Sequence, residues 1–325
     1  MNRTVAVTGA TGFVGRYVVR TLLSRGCAVR ALARDAGKAA SVLPECDRLG
    51  LVIGDVLGEG VADDLLDGCG ACIHLIGIIR EGGGGRTFRR MHVEATDAVV
   101  GACRDRGVGR YVHMSALGVD PEGRSEYQRT KFEGERIVRA SGLDWTIFRP
   151  GLIHGPEGEF VRLAAGWVRG TETPRRFLPY FKRGRPASGV PFAATVYEDP
   201  LVAPVWVQDV ADCIVEALGR RASIGEIYNV VGAETLSWPQ MLVLMRDCVR
   251  GADPSLMPRG VPADLAICLA RGARALGVAS LLPFDEGQAA MGSLDSTAQM
   301  EKVATDLEIT TAPFAQTFGA YAARL

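Results

Sequence analysis

The chain has 325 residues, 47% of them hydrophobic, and its 37 basic and 37 acidic residues give a formal net charge of zero. A chain of this length makes one large domain or two smaller ones, with a core that needs neither disulfides nor a metal. The balanced charge excludes an overall basic field for nucleic acid, and the apolar runs are too short to cross a bilayer. Because the first predicted strand starts near residue 3, with no room for a signal peptide, we expect a cytoplasmic protein.

A glycine triad follows the first predicted strand. Gly9, Gly12 and Gly15 are spaced G-x-x-G-x-x-G between an apolar β-branched run and a helical pattern. At a dinucleotide site the first glycine allows a sharp turn, the second a close approach of the pyrophosphate, and the third close packing of helix on strand. This position in the chain favours a cofactor site over an ordinary glycine turn. The residues predicted to form it are Gly9, Thr11, Gly12, Phe13, Val14 and Gly15.

Strands and helices alternate along most of the first 230 residues. Predicted strands follow at 27–33, 51–56, 71–79, 111–114, 145–148 and 226–231, and predicted helices include 88–106 and 125–140. This alternation predicts the α/β class, with a doubly wound parallel sheet. Ligands of such sheets bind at the carboxyl ends of the strands. Besides the glycine segment, the residues expected at that edge are Arg34, Asp55, Gly77, Ser115 and Pro150.

Two positions on this edge bear on the cofactor. A carboxylate about twenty residues after the glycines accepts the ribose hydroxyls of NAD, whereas a cation there binds the 2′-phosphate of NADP. Arg34 and Asp35 both fall in this window, so the spacing alone leaves both cofactors open. Asp55 follows the third strand and could accept a hydrogen bond from adenine, or else cap the helix after it.

Tyr127 and Lys131 are the strongest candidates for chemistry. They are four residues apart on a helix that Ser125 and Gln128 open at capping-box spacing, so the two side chains share one helix face. We expect the ammonium to stabilise the phenolate and lower the pKa of Tyr127 towards the working pH. Ser115 ends the strand before this helix.

Other polar groups have simpler explanations. Cys69 and Cys72 have the spacing of a redox or zinc pair, but without a second pair nearby we expect reduced thiols and no metal site. His74 and His113 lie in apolar strands and are expected to be satisfied core residues. The basic segment 169–185 fits a solvated surface loop, with an anionic substrate site or a contact with acidic lipid head groups as the alternative.

These segments together resemble a known family. The glycine segment, Gly54-Asp55-Val56, Tyr127 with Lys131, and segments 148–151 and 204–211 are similar to the extended and atypical branches of the short-chain dehydrogenase/reductase superfamily. Segments 74–78 and 113–118 are most similar to the branch holding the nucleotide-binding accessory subunit of respiratory complex I and its bacterial relatives, which are epimerase/dehydratase-like.

The resemblance implies a fold and a division of the chain. It implies a seven-stranded Rossmann sheet and a smaller, mainly helical C-terminal substrate domain. The expected NAD(P)-binding domain covers 1–155 and 203–233, interleaved with a substrate domain over 156–202 and 234–325.

The resemblance also implies site roles. The acidic NAD determinant would fall at Ala33, just before Arg34, so NADP(H) is favoured and NAD(H) stays open. Tyr127 would be the acid/base, and Lys131 would bind the nicotinamide ribose and assist it. The catalytic serine falls at Ser115 or at the next position, which is Ala116, and the second alignment would reduce or abolish turnover. The remaining cofactor residues would be Val56, Leu75, Ile76, Gly77 and Pro150, together with Arg34 and Asp55.

Two functions follow. The leading one is an NADP(H)-dependent oxidoreductase or epimerase, and the alternative is a cofactor-binding protein without turnover, acting as an accessory or assembly component of a respiratory complex or as a redox sensor. The expected partners are a small-molecule substrate and at most a second copy, as a monomer or homodimer. A peripheral membrane or respiratory-complex contact is left open.

Overall fold

The computed structural model describes residues 4–187, 195–277, 282, 284 and 286–325. The strands are β1 Thr4–Thr8, β2 Ala28–Ala33, β3 Leu49–Ile53, β4 Ala71–His74, β5 Arg110–Met114, β6 Asp144–Pro150, β7 Ile153–His154, β8 Leu178–Pro186, β9 Thr195–Glu198, β10 Leu201–Val202, β11 Val205–Trp206, β12 Glu226–Val230, β13 Leu236–Ser237 and β14 Pro258–Pro262. The α-helices are α1 Phe13–Ser24, α2 Ala36–Val42, α3 Val61–Leu66, α4 Ala95–Asp105, α5 Glu126–Arg139, α6 Glu159–Val168, α7 Val207–Ala217, α8 Trp238–Cys248, α9 Ala263–Ala275, α10 Glu286–Gly292, α11 Glu301–Leu307 and α12 Phe314–Ala322.

The first compact unit is an α/β layer structure and comprises Met1–Pro150, Val207–Val230 and Gln299–Thr310. Its central sheet has seven strands in the order β3-β2-β1-β4-β5-β6-β12, and every adjacent pair is parallel. The order reverses direction between β1 and β4, which is where a doubly wound sheet binds its ligand. The predicted doubly wound Rossmann sheet is therefore confirmed.

Apolar burial on both faces explains why this sheet forms. Val5 and Val7 in β1 and Ile73 in β4 are at most 1% exposed, as expected for strands covered by helices on both sides. In register, Thr8 pairs with His74 and His74 with His113. The chain segments that follow β1, β4 and β5 therefore leave the sheet side by side at one edge.

Two predicted elements differ from the structure. The strand predicted at 71–79 ends at His74, and the helix predicted at 88–106 is divided into a π-helical turn, Arg90–Glu94, and α4. Helix α5 approaches the backbone of the π turn closely, since a Cβ on Gly134 would lie 2.6 Å from the His92 carbonyl oxygen. Apolar periodicity does not record such a backbone-to-backbone approach, so the sequence pattern missed it.

The second compact unit comprises Gly151–Trp206, Val231–Ala298 and Thr311–Leu325. Its core consists of apolar side chains from α6, α8, α12 and β8, among them Leu178, Met241 and Phe318. The sequence assigned all of 234–325 to this domain, but the structure places Gln299–Thr310 in the first unit, where Asp306 accepts a 2.8 Å hydrogen bond from Tyr228 of β12. Residues 188–194 and 278–281 of the predicted range lie outside the described residues.

In the part of the basic segment 169–185 that forms β8, the basic side chains pair with acidic ones. Most of its second half is strand β8, so a solvated loop does not describe it. Arg183 lies 2.8 Å from Asp295, and Arg185 lies 3.1 Å from Glu198. These ion pairs favour a structural role for those arginines over an open anion site.

No helix among the described residues combines the length and the apolar character needed to cross a membrane.

Candidate functional site

In the turn after β1, two of the three glycines are required by contacts within the protein. Gly9 has a φ of +68°, and a Cβ there would lie 2.9 Å from the Leu75 carbonyl carbon. A Cβ on Gly15 would lie 2.1 Å from the Gly9 carbonyl oxygen. The Gly12 N–H donates a 3.0 Å hydrogen bond to that same oxygen, which closes the turn. The fold therefore needs glycine at positions 9 and 15.

Gly12 is less constrained by the fold than Gly9 and Gly15. It is exposed at the N-cap of α1, and the nearest atom to a Cβ there is the Gly9 carbonyl oxygen at 3.1 Å. There is space on the outer side of the turn. The first N–H groups of α1 point into this space and have no hydrogen-bond partner within the helix. This cradle fits the pyrophosphate of a dinucleotide, which would approach the backbone where a Cβ stands in other residues. Thr11 and Phe13 flank it half-buried, whereas the Val14 side chain is buried in the core and leaves only its backbone for binding.

The tip of β2 separates the two candidate cofactor residues. Asp35 is the N-cap of α2, and its Oδ1 accepts a 2.6 Å hydrogen bond from the Lys38 N–H. Arg34 is exposed beside it. The carboxylate is thus used to cap a helix, while the guanidinium faces solvent at the edge of the sheet.

Asp55 follows β3 and does not cap the next helix. Its Oδ1 accepts a 3.0 Å hydrogen bond from the Leu57 N–H, whereas α3 begins at Val61 with Gly60 as its N-cap. The cap interpretation is wrong, because four residues separate Asp55 from that position. Asp55 is exposed, whereas its neighbour Val56 is buried and apolar.

The segment after β4 lies beside the glycine turn. The Leu75 N–H donates a 3.3 Å hydrogen bond to the Thr8 carbonyl, and Leu75 is buried while Ile76 is half-buried. A Cβ on Gly77 would lie 2.9 Å from Lys131 Nζ. Gly77 is therefore small because the ammonium of Lys131 occupies the space next to it.

Ser115 and Pro150 close this edge after β5 and β6. Ser115 is 3% exposed, and its Oγ has no hydrogen-bond partner within the described part of the chain. A buried hydroxyl without a partner is costly, which makes Ser115 a group that a ligand would satisfy. Ala116 is also buried, and the Pro150 carbonyl accepts a 2.9 Å hydrogen bond from Leu117.

Helix α5 presents Tyr127 and Lys131, and its start is fixed as predicted. Ser125 Oγ accepts a 3.3 Å hydrogen bond from the Gln128 N–H, while Gln128 Oε1 accepts one of 3.2 Å from the Ser125 N–H. This reciprocal capping box fixes the first turn, and thereby the side chains that leave it. The Tyr127 ring is half-buried and meets Phe88 edge to face, with ring centroids 5.7 Å apart.

Lys131 is a buried cation. It is 4% exposed, and its Nζ donates a 3.1 Å hydrogen bond to the Met114 carbonyl. Burial lowers the pKa of Lys131 to about 8, while the carboxylate of Glu135 acts in the opposite direction. Glu135 is 0% exposed and accepts bidentate hydrogen bonds of 2.8 and 2.5 Å from Arg149. The ammonium is thus held at the sheet edge at substantial desolvation cost, as is typical of functional groups.

The expected lowering of the Tyr127 pKa by Lys131 is wrong. Burial raises the pKa of Tyr127 to about 12, and no opposing effect of the ammonium contributes. Desolvation disfavours the phenolate more than the cation favours it, because the Lys131 ammonium is directed at Met114 and Gly77. Tyr127 is therefore a neutral phenol in this structure.

Three histidines around Lys131 were only partly anticipated from the sequence. His74 is satisfied as expected, with its Nδ1 2.8 Å from Thr8 Oγ1. His113 is not, because neither of its ring nitrogens has a hydrogen-bond partner in the described chain. His92 had no predicted partner, but its ring lies 5.4 Å from that of Tyr127 and within hydrogen-bond distance of Ile78. Only the position of His92 within a helical pattern was visible in the sequence, and its partners come from other elements.

Similarity to known proteins agrees with this geometry. The profile of the NAD(P)H-binding family matches residues 9–176, which is more than half of the chain and contains the glycine turn, Ser115, Tyr127 and Lys131. The chain belongs to the NAD(P)H-binding family. The resemblance deduced from the sequence is thereby confirmed, and it is consistent with the extended branch of the short-chain superfamily.

Several known proteins are similar in sequence. A mitochondrial NADH dehydrogenase (ubiquinone) 1 alpha subcomplex subunit 9 of Dictyostelium discoideum is 24% identical over 244 residues, 74% of this chain and 62% of that protein. A ceramide reductase of Caulobacter vibrioides is 35% identical over 157 residues, 47% of each. A ketoreductase of Stigmatella aurantiaca that acts on a farnesyl dihydroquinoline oxide is 31% identical, covering 68% of this chain and 75% of that protein. The chain thus spans only about half to three fifths of the first two relatives.

Solved structures share the fold. A UDP-glucuronic acid 4-epimerase of Bacillus cereus, solved with UDP-glucuronic acid and NAD, has a TM-score of 0.70 at 18% identity, covering 98% of this chain and 97% of its own. An NADPH-dependent quinone oxidoreductase of Escherichia coli, solved with NADPH, has a TM-score of 0.67 at 17% identity, covering 97% and 99%. At these identities the likeness concerns the fold. The family match makes the protein NAD(P)H-binding, and the similar sequences include two reductases.

The partner expectation from the sequence needs correction. It centred on a self-contained monomer or homodimer with a small-molecule substrate and left the respiratory complex as no more than an open contact. Relatives named as subunits of an NADH dehydrogenase (ubiquinone) include the Dictyostelium protein and a 40 kDa subunit of Neurospora crassa that is 28% identical over 165 residues. For these relatives the partner is a large assembly, so the self-contained picture does not hold across the family.

Proposed function

We propose that the protein is a cytoplasmic NADP(H)-dependent oxidoreductase of the short-chain type that reduces a carbonyl group, or runs the reverse oxidation. The observation that carries the proposal is the pair of Tyr127 and Lys131 at the edge where the glycine turn leaves β1. Lys131 is buried, cationic and in contact with Gly77, and Tyr127 lies one helical turn before it with a half-buried phenol.

The protein's own groups fit the cofactor. The exposed cradle at Gly12 and the free amides of α1 suit a pyrophosphate. The ammonium of Lys131 beside Gly77 would meet the hydroxyls of the nicotinamide ribose. The nicotinamide supplies or accepts the hydride when it is bound.

Each side chain then has a separate task. In the reduction, a hydride reaches the carbonyl carbon while Tyr127 gives its phenolic proton to the carbonyl oxygen, so that an alcohol and a phenolate result. Ser115, whose hydroxyl lacks a partner among the described residues, would donate a hydrogen bond to the same oxygen. The ammonium of Lys131 is directed at Met114 and Gly77, so its task is to hold the nicotinamide ribose, and a proton from solvent restores the phenol. The raised pKa of Tyr127, about 12, keeps the phenol protonated at neutral pH but makes it a weaker acid than an ordinary tyrosine.

NADP(H) is favoured over NAD(H) by the tip of β2. Asp35 is engaged in capping α2, so its carboxylate is directed at the Lys38 amide. The exposed guanidinium of Arg34 is left to pair with a 2′-phosphate, which a planar fork of N–H donors suits.

Replacing Tyr127 with Phe tests the proposal. The reaction is NADPH oxidation with a panel of ketones, quinones and nucleotide sugars, and we expect kcat to fall about 10²- to 10⁴-fold, as for loss of a general acid. Tyr111→Phe is the matched control, because its hydroxyl is buried and has no hydrogen-bond partner in the described chain. Undiminished turnover by Tyr127→Phe on a substrate of the wild type would refute the assigned role.

A second candidate is an NAD(P)H-binding protein without turnover. Two observations favour it: the relatives named as respiratory subunits, and Ala116 at a position where the family's catalytic serine could fall. In that case the protein retains NADPH through purification but oxidises it with none of the panel, and Tyr127→Phe changes nothing measurable.

A further inference from the structure

His92 links two parts of the site that are distant in sequence. It lies in the π-helical turn before α4 and is 2% exposed. Its Nε2 is 3.2 Å from the backbone nitrogen of Ile78 and 3.1 Å from the Ile78 carbonyl oxygen. Its Nδ1 is 2.9 Å from Thr130 Oγ1 on α5. One imidazole therefore connects the segment after β4 with the helix that carries Lys131.

The backbone of His92 is held as firmly as its ring. Thr96 Oγ1 donates a 2.8 Å hydrogen bond to the His92 carbonyl. The same carbonyl lies so close to Gly134 that a Cβ there would be 2.6 Å from the oxygen. A π turn inserts one extra residue into a helix, and such insertions are frequent at functional sites. Here the insertion points the ring of His92 between two elements.

Both residues bonded by His92 adjoin the Gly77–Lys131 contact. Ile78 follows Gly77 directly, and Thr130 precedes Lys131 directly. A Cβ on Gly77 would lie 2.9 Å from Lys131 Nζ, so a small shift of either segment changes this contact. The imidazole thus bonds to the neighbour of Gly77 through one ring nitrogen and to the neighbour of Lys131 through the other.

The hydrogen bond from the Ile78 N–H requires a neutral ring, because Nε2 can accept only when it carries no proton. A neutral imidazole has one donor and one acceptor nitrogen, so it satisfies an acceptor on one side and a donor on the other. Burial, together with the ammonium of Lys131, lowers the pKa of His92 to about 2. The ring therefore stays uncharged throughout the physiological range and serves as a fixed link.

We propose that His92 is a positioning residue that holds Gly77 against Lys131 and so presets the surface that receives the nicotinamide ribose. The role rests on the proposed function, because it concerns the same cofactor site. Ile78 and Thr130 are the two attachment points through which His92 acts.

Paired variants test the link. His92→Gln keeps one donor and one acceptor on a side chain of similar reach, whereas His92→Leu keeps neither. We expect His92→Leu to raise the Kd for NADPH about tenfold or more and to lower kcat, and His92→Gln to restore most of both. Amide hydrogen exchange at Ile78 in the protein without cofactor should quicken in His92→Leu and not in His92→Gln.

A second pair covers the case in which His92→Leu does not fold. Thr130→Val removes the hydroxyl at nearly constant shape, and Thr130→Ser retains it. We expect Thr130→Val to weaken NADPH binding and Thr130→Ser to bind as the wild type does. The proposal is overturned if His92→Leu or Thr130→Val binds NADPH with unchanged affinity, or if His92→Gln is as impaired as His92→Leu. If the wild type binds neither nucleotide, the proposed function is wrong. Hydrogen exchange at Ile78 would then report only whether the Ile78 N–H bonds to His92.

Discussion

Gly77 leaves room for the ammonium of Lys131 at the sheet edge, since a Cβ on Gly77 would lie 2.9 Å from the Lys131 ammonium nitrogen. This arrangement places the one buried ammonium of α5 directly under the chain that leaves β4. A side chain at position 77 would collide with this ammonium. The position of the charge at the site therefore depends on the backbone at Gly77.

Gly77→Ala should therefore displace Lys131. The added methyl group would have to push the ammonium away from its 3.1 Å hydrogen bond to Met114. We expect kcat/KM with NADPH to fall about tenfold or more, which corresponds to a loss of ~1.4 kcal/mol. Gly82→Ala is the matched control in the same connection, because a Cβ there would meet no atom within 4 Å. Equal activity of the two variants would contradict the contact.

Glu135 should set the alkaline limit of activity. Lys131 has a pKa near 8, which burial lowers and Glu135 raises. Since the carboxylate favours the ammonium form, Glu135→Gln should lower the pKa of Lys131 further and move the alkaline limb of the pH–rate profile to lower pH. The other titratable groups close to Lys131 are Tyr127 on α5, His74 on β4, His92 on the π turn and His113 on β5, while Arg149 on β6 pairs with Glu135.

The measurement is the pH dependence of kcat/KM between about pH 6 and 10. The histidines have lowered pKa values, so their protonation does not contribute in this range. Glu133→Gln is the control, because that carboxylate makes only a 3.4 Å surface ion pair with Arg89. A limb that stays in place in Glu135→Gln, or that moves to higher pH, would show that Glu135 does not support the charge on Lys131.

Within the glycine turn, a substitution at Gly15 should mainly lower folding stability, and one at Gly12 should mainly weaken nucleotide binding. Gly15→Ala places a Cβ 2.1 Å from the Gly9 carbonyl oxygen, so strand and helix must move apart, and we expect a marked fall in Tm. Gly12→Ala meets one oxygen at 3.1 Å and faces solvent, so Tm should change little while the affinity for NADPH falls about tenfold or more. Thermal melting and nucleotide titration of both variants give the comparison. Normal nucleotide binding by a folded Gly12→Ala would rule out a pyrophosphate at this turn.

The sequence predicted what is encoded locally. The glycine triad, the Ser125–Gln128 capping box and the alternation of strands and helices each depend on neighbouring residues, and the sheet and the capping box are confirmed. The early end of β4 and the π turn lie beside close backbone approaches at Gly9 and Gly134, which leave no periodic signal.

The local environment of the site residues was harder to anticipate. That Asp35 caps a helix while Arg34 is exposed could not be decided from two adjacent residues. The raised pKa of Tyr127 reflects burial, which a four-residue spacing does not reveal. The partners of His92 come from β4 and α5, and so were visible only in the folded chain.

Replacing Arg34 should change the choice of cofactor, whereas replacing Asp35 should change the folding stability. Arg34→Ala removes the exposed guanidinium, so we expect the Kd for NADPH to rise about tenfold or more while the Kd for NADH is unchanged. Asp35→Ala removes the 2.6 Å cap bond to Lys38 and should cost about 1 kcal/mol of folding stability, with the ratio of the two dissociation constants unaltered. Titrations with both nucleotides and urea unfolding of both variants check this. If Asp35→Ala instead weakens NADH binding selectively, the carboxylate is the ribose ligand and the preference for NADP(H) is wrong, because a residue engaged only as a helix cap has no means of distinguishing the two cofactors.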